Sequence, residues 1–119
     1  MPVSHRVQVG SSARLSQLFN NADDYLVEEN IEDSHGTLLF LGINIKFGRA
    51  DWFVKFAKRH KKPVRCITNN DVTSHSYIAK WLRRLNVSDL HVCSLGDVSQ
   101  DTITAYLDKV FEIYGQLGE

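Results

Sequence analysis

Thr37-Leu38-Leu39-Phe40-Leu41-Gly42-Ile43 is a near-continuous apolar run. It is apolar at both parities and too short for a typical globular helix. That is the pattern of a strand buried on both faces, as in a parallel sheet. Two shorter runs repeat it downstream, Val64-Arg65-Cys66-Ile67-Thr68 and Leu90-His91-Val92-Cys93-Ser94-Leu95. These three segments predict mutually parallel, central strands.

The segments between them have helical spacing. From Ala50 to Lys61, Phe53, Phe56, Ala57 and His60 share one face, while Lys55, Lys58, Arg59 and Lys62 recur on the opposite one, and Pro63 stops the helix. After Thr73 or Ser74 as a cap, Ile78, Trp81, Leu82 and Leu85 form an apolar stripe, with Lys80, Arg83 and Arg84 outward. Ser99 caps a last helix with the stripe Ile103, Tyr106, Leu107, Val110 and Tyr114. Upstream, the alternation of Val3, Val7 and Val9 predicts a short strand, broken by Gly10-Ser11-Ser12. A helix from Ala13 follows, with Leu15, Leu18, Phe19, Ala22, Tyr25 and Leu26 inward, and Asp33-Ser34-His35-Gly36 reads as a turn.

Strands alternating with helices predict a single α/β domain over residues 1–119. The architecture is a small doubly wound sandwich of the Rossmann or flavodoxin kind, three or four parallel strands with four helices. The expected strand order is 2-1-3-4, counting Val3–Val9 as the first strand. A chain of 119 residues can bury one core without disulfides or metals. Both cysteines, Cys66 and Cys93, fall inside apolar runs and read as buried free thiols of a reducing, cytoplasmic compartment. No apolar stretch is long enough to span a bilayer, so no membrane partner is expected.

The net charge of zero hides a partition. Residues 1–36 carry two basic and six acidic groups, residues 37–84 eleven and two, and residues 85–119 one and six. Such sorting bears on partners rather than on fold. In the 2-1-3-4 order, helices two and three share one side of the sheet and the acidic helices one and four share the other. The expectation is therefore a non-catalytic binding domain whose basic face takes a nucleic acid or an acidic protein surface. Lys55, Lys58, Arg59, Lys62, Lys80, Arg83 and Arg84 are the contact residues, and copies can stack through faces of opposite charge.

The alternative is a small enzyme or sensor that takes a phosphorylated ligand or nucleotide where the strands end. Open α/β sheets bind ligands outside the carboxyl ends of their strands. The loops expected there hold Ser11, Ser12, Asn44, Lys46, Asn69, Asn70 and Asp71. A Gly-Ser-Ser turn before a helix offers backbone N–H groups to a phosphate, and Lys46 can neutralise it. Neither G-x-G-x-x-G nor G-x-x-x-x-G-K-[ST] occurs, so no cofactor is called for by motif. His5, His35, His60, His75 and His91 make no i, i+4 pair and no Cys/His cluster, so no metal site is assigned. His75, close to Asp71 at a strand-end loop, reads as a surface histidine of the cap region, with a general base as the alternative, and no catalytic residue is assigned.

Cys66-Ile67-Thr68-Asn69-Asn70, followed by a helix carrying Leu82-Arg83-Arg84-Leu85, resembles the second motif region of haloacid-dehalogenase-type phosphatases over about 20 residues. The resemblance implies Thr68 or Asn69 at a phosphate. The family's Asp-x-Asp nucleophile is absent, because the first strong strand ends in Gly42-Ile43-Asn44-Ile45. Without that carboxylate the covalent mechanism has no nucleophile.

Overall fold

The computed structural model describes residues 4–10, 27–42, 47–68, 75–96 and 98–117. Four strands and four helices alternate: β1 Ser4–Gln8, α1 Val27–Asp33, β2 Gly36–Leu41, α2 Phe47–Arg59, β3 Val64–Thr68, α3 His75–Arg84, β4 Asp89–Leu95 and α4 Gln100–Leu117. The fold class is the expected α/β one. Most of the helix expected from Ala13 lies outside the described residues.

The sheet order is β1-β4-β2-β3. β2 is parallel to both β3 and β4, while β1 runs antiparallel to β4 along the opposite edge. This corrects the 2-1-3-4 order. It also moves β3 from the centre to an edge, where Arg65, Cys66 and Thr68 are exposed. The local pattern of β3 resembles that of a central strand, but its neighbours are set by tertiary pairing, which residue parity does not encode.

Direction along the sheet then fixes the helices. β2 to β3 steps one way, and β3 to β4 steps back across β2. Right-handed crossovers in opposite directions lie on opposite faces. On one face, α1 and α2 pack Ile31, Phe53 and Ala57 against Leu39, Cys93 and Leu95. On the other, Ile78, Trp81 and Leu82 of α3 join Ile103, Leu107, Val110 and Phe111 of α4 against Leu38, Phe40, Leu90 and Val92. Each face therefore carries one acidic and one basic helix. His60 at the end of α2 meets Glu32 of α1 at 3.4 Å. The expectation of two faces of opposite sign is overturned: α2 and α3 are back to back across the sheet.

Within these elements most inward positions are those the sequence spacing picks out. Leu85 is an exception, exposed past the end of α3, and Phe56 is only partly buried. Cys93 is buried, but Cys66 is exposed on its edge strand, and both are free thiols. Partial burial still pushes the Cys66 thiol above its ordinary pKa, so it is a weak nucleophile near neutrality.

The two basic helices end alike. In α2 the Lys62 N–H bonds the Ala57 carbonyl at 2.8 Å and the Lys61 N–H bonds Lys58 at 3.0 Å. In α3 the Val87 N–H bonds Leu82 at 3.0 Å and the Asn86 N–H bonds Arg83 at 3.3 Å. Each is a Schellman closure with a left-handed residue at its pivot, Lys61 at φ 58° and Asn86 at φ 54°. Asn tolerates that conformation; Lys pays a steric penalty for it. Lys61→Gly is expected to stabilise the fold by about 0.5–1 kcal/mol, read from a denaturant midpoint shift at constant slope. A destabilised Lys61→Gly protein contradicts the reading.

Candidate ligand site at the carboxyl ends of the strands

β2 and β4 are neighbours, and their chains part company where they end. The path from β2 goes to α2 on one face, and the path from β4 goes to α4 on the other. Such a divergence opens a crevice at the carboxyl edge of a doubly wound sheet. The pair stays joined to its last residues, since the Gly42 N–H bonds the Leu95 carbonyl at 2.8 Å. Gly96, at φ 79°, then turns the chain away, a conformation open to glycine. Ser99 caps α4 by accepting the Thr102 N–H at 3.1 Å, and its hydroxyl pairs with that of Thr102 at 2.7 Å.

Beside the crevice lies a cleft of about 140 Å³, lined by Phe40, Leu41, Ile67, Thr68, Val98, Thr102 and Tyr106. The ends of β2 and β3 supply one wall and the start of α4 the other. Tyr106 stands edge-on to Phe40 at 5.6 Å. The His75 ring also lies 4.5 Å from it, which brings the first residue of α3 to the rim. The volume suits one ring or one oxyanion, below the roughly 300–1,000 Å³ of a drug-sized site. The lining is mostly apolar, with the hydroxyls of Thr68 and Thr102 as polar points.

Asn44, Lys46, Asn69, Asn70 and Asp71 follow β2 and β3, but they lie outside the described residues. Ser11 and Ser12 lie outside them too. Gln8, at the end of β1, pairs with Asp89 at the start of β4, and the Val9 N–H bonds the Ser88 carbonyl at 2.9 Å. Gly10 therefore leaves the sheet at the end opposite the cleft. Sequence reasoning missed Val98 and Thr102 as site residues and gave Tyr106 to the core. A helix beginning only four residues after a strand places its first turn at that strand's end, and that spacing was the available signal.

The seven basic residues expected to meet a partner divide between the faces. Lys55 pairs with Asp51 one turn away at 2.9 Å, and Lys58, Arg59 and Lys62 follow at the end of α2. Across the sheet, Lys80 and Arg84 are exposed on α3, and the Arg83 guanidinium lies over the Tyr114 ring at 4.7 Å. α2 leads into β3 and α3 follows it, so the two basic helices flank β3 in the chain while lying on opposite faces of the sheet. Among the described residues, no helix is long and apolar enough to cross a membrane, and no group of three or more His, Cys, Asp or Glu side chains could hold a metal ion.

Comparison with curated proteins finds no match. Among solved structures, the chain resembles the crystal structure of a protein from Syntrophus aciditrophicus described as "Putative molybdenum carrier protein", with a TM-score of 0.51 and 21% identity. The match covers 87% of this chain and 60% of that one, so it spans less than two thirds of its neighbour's length. At that identity the likeness speaks for the Rossmann-like fold alone. The model of the circularly permutated YpsA SLOG family matches residues 9–113, nearly the whole chain. The chain belongs to that family.

Proposed function

We propose that the domain binds a small phosphorylated ligand or nucleotide at the carboxyl ends of β2, β3 and β4, as a binding or sensing module. The observation that carries this is the divergence of β2 and β4 to opposite faces, with the cleft beside it. An anion there meets the Ser99-capped start of α4, where the positive end of the helix dipole favours negative charge. Phe40 and Tyr106 offer a flat group an apolar wall. Lys46, Asn69 and Asn70, which follow β2 and β3 in the sequence, are the residues proposed to complete the site. Two free thiols are in keeping with a cytoplasmic setting.

The test is an amide NMR titration with adenosine monophosphate, inorganic phosphate and molybdate, the last prompted by the neighbour's name. Expected are saturable shifts of Leu41, Thr68, Thr102 and Tyr106 with one of the three, abolished by Thr102→Trp, which fills the cleft. Shifts confined to the opposite end of the sheet, or undiminished in Thr102→Trp, sink the reading.

A second reading places a nucleic acid or an acidic protein on the basic surface around β3. It is favoured by cations on and between α2, β3 and α3 that pair with no described carboxylate. Among the described residues, Lys58, Lys61, Lys62, Arg65, Lys80 and Arg84 sit in no ion pair. Oligomers joined through this surface need an acidic counterpart on the second copy.

A further inference from the structure

The edge of β3 is both open and charged. β3 bonds to β2 on one side and, among the described residues, has no strand on the other. The Pro63 carbonyl accepts the Thr37 N–H at 2.9 Å, so it faces β2. Backbone groups in a parallel ladder alternate in direction. The N–H and C=O groups of Val64, Cys66 and Thr68 therefore point outward, away from β2. That is the hydrogen-bonding template of an added strand.

Both flanks of this template are cationic. On the α3 side, Tyr77, Lys80 and Arg84 follow one another at i, i+3 and i+7, and the Arg65 guanidinium lies 5.7 Å from the Tyr77 ring centre. On the α2 side, Lys58, Lys61 and Lys62 precede β3. Two copies pairing β3 to β3 would press these like charges together, which works against self-association at this edge. The same charges admit a strand of opposite sign. A nucleic acid can satisfy the charge but carries no row of amides at the spacing of the outward groups.

We propose that the β3 edge accepts an extended acidic segment of a partner protein as a fifth strand. The partner's backbone pairs with Val64, Cys66 and Thr68, and its alternate carboxylates reach Arg65, Lys80 and Arg84 on one flank and Lys58 and Lys62 on the other. This rests on the second reading above, that the basic surface binds a polyanion, and it chooses the polyanion.

The test uses the full chain and a fluorescent peptide of about eight residues alternating Glu and Val, a typical strand length. Two probes accompany it: a peptide of equal charge with Pro at alternate positions, and a single-stranded oligothymidine. Expected is salt-sensitive binding of the Glu-Val peptide, with slowed amide exchange at Val64, Cys66 and Thr68. The proline peptide and the Lys80→Glu/Arg84→Glu variant should each bind about tenfold more weakly. Equal binding of the two peptides, or unchanged exchange at those three amides, overturns strand addition. Oligothymidine binding without peptide binding, weakened by the same charge reversal, overturns it while leaving the basic-surface reading standing. Failure of all three probes removes both.

Discussion

Replacing Trp81 by Ala is expected to lower the unfolding free energy by about 3–5 kcal/mol, against about 1 kcal/mol or less for Trp52→Ala. Both tryptophans sit in amphipathic helices near the apolar stripe, so spacing alone does not part them. Their environments do. Trp81 is 3% exposed, inside the larger core with Ile78, Leu82 and the α4 stripe. Trp52 is 42% exposed, stacked on Phe56 at 5.2 Å and edge-on to Phe53 at 5.0 Å. Removing Trp81 leaves a cavity that surrounding strands and helices cannot collapse into. Removing Trp52 returns its space to water and loses mainly ring contacts. Partly buried Phe56 should fall between the two. Denaturant melts of the three variants give the order directly, and an inverted order would mean that α3 is rotated relative to this structure.

The fold class was legible because it depends on local pattern. Apolar runs at 37–43, 64–68 and 90–95, separated by helical stripes, specify parallel strands and crossover helices whatever their neighbours. The sheet order was not legible, because pairing partners are chosen by the whole core. β1 shows the point: its alternation marks a half-buried edge strand equally well in either direction. The family is by name a circularly permuted one, and permutation changes where a chain enters a fold. An order inferred from chain sequence then loses its basis. The consequence reached the site. With β1 reversed, Gly10 leaves at the wrong end, and α2 and α3 separate onto two faces. The charge partition itself, a property of sequence, stands; the single basic face expected from it does not. The cleft was legible only as the general rule about strand ends, since Thr102 and Tyr106 come from a helix whose spacing advertises packing.

β4 carries the second large effect. All six residues from Leu90 to Leu95 are buried, because β4 is paired on both sides and covered on both faces. That forces polar side chains inside. His91, fully buried, sits between Ser4 and Thr37: its Nε2 is 2.8 Å from Ser4 Oγ and its Nδ1 3.2 Å from Thr37 Oγ1. The Asn30 amide donates to the same Ser4 oxygen at 3.0 Å. One assignment gives each ring nitrogen a role: the Ser4 hydroxyl, accepting from Asn30, donates to Nε2, and Nδ1–H donates to Thr37. The imidazole thus ties β1, β2 and α1 to β4, where parity analysis sees one more residue of an apolar run. His91→Leu keeps the volume but leaves the Ser4 and Thr37 hydroxyls without their ring partner. A buried polar group deprived of its partner costs about 1–3 kcal/mol, so a loss of about 2–4 kcal/mol is expected. Thr37→Val alone should cost about 1–3 kcal/mol by removing the hydroxyl that meets Nδ1. The double variant should cost clearly less than the two together, because each change removes the group the other strands, while Ser4 keeps its bond from Asn30. A coupling of about 1 kcal/mol or more from the cycle would establish the contact as energetic. Strict additivity would mean that the hydroxyl of Thr37 gains nothing from His91, and that the strands are held here by packing alone.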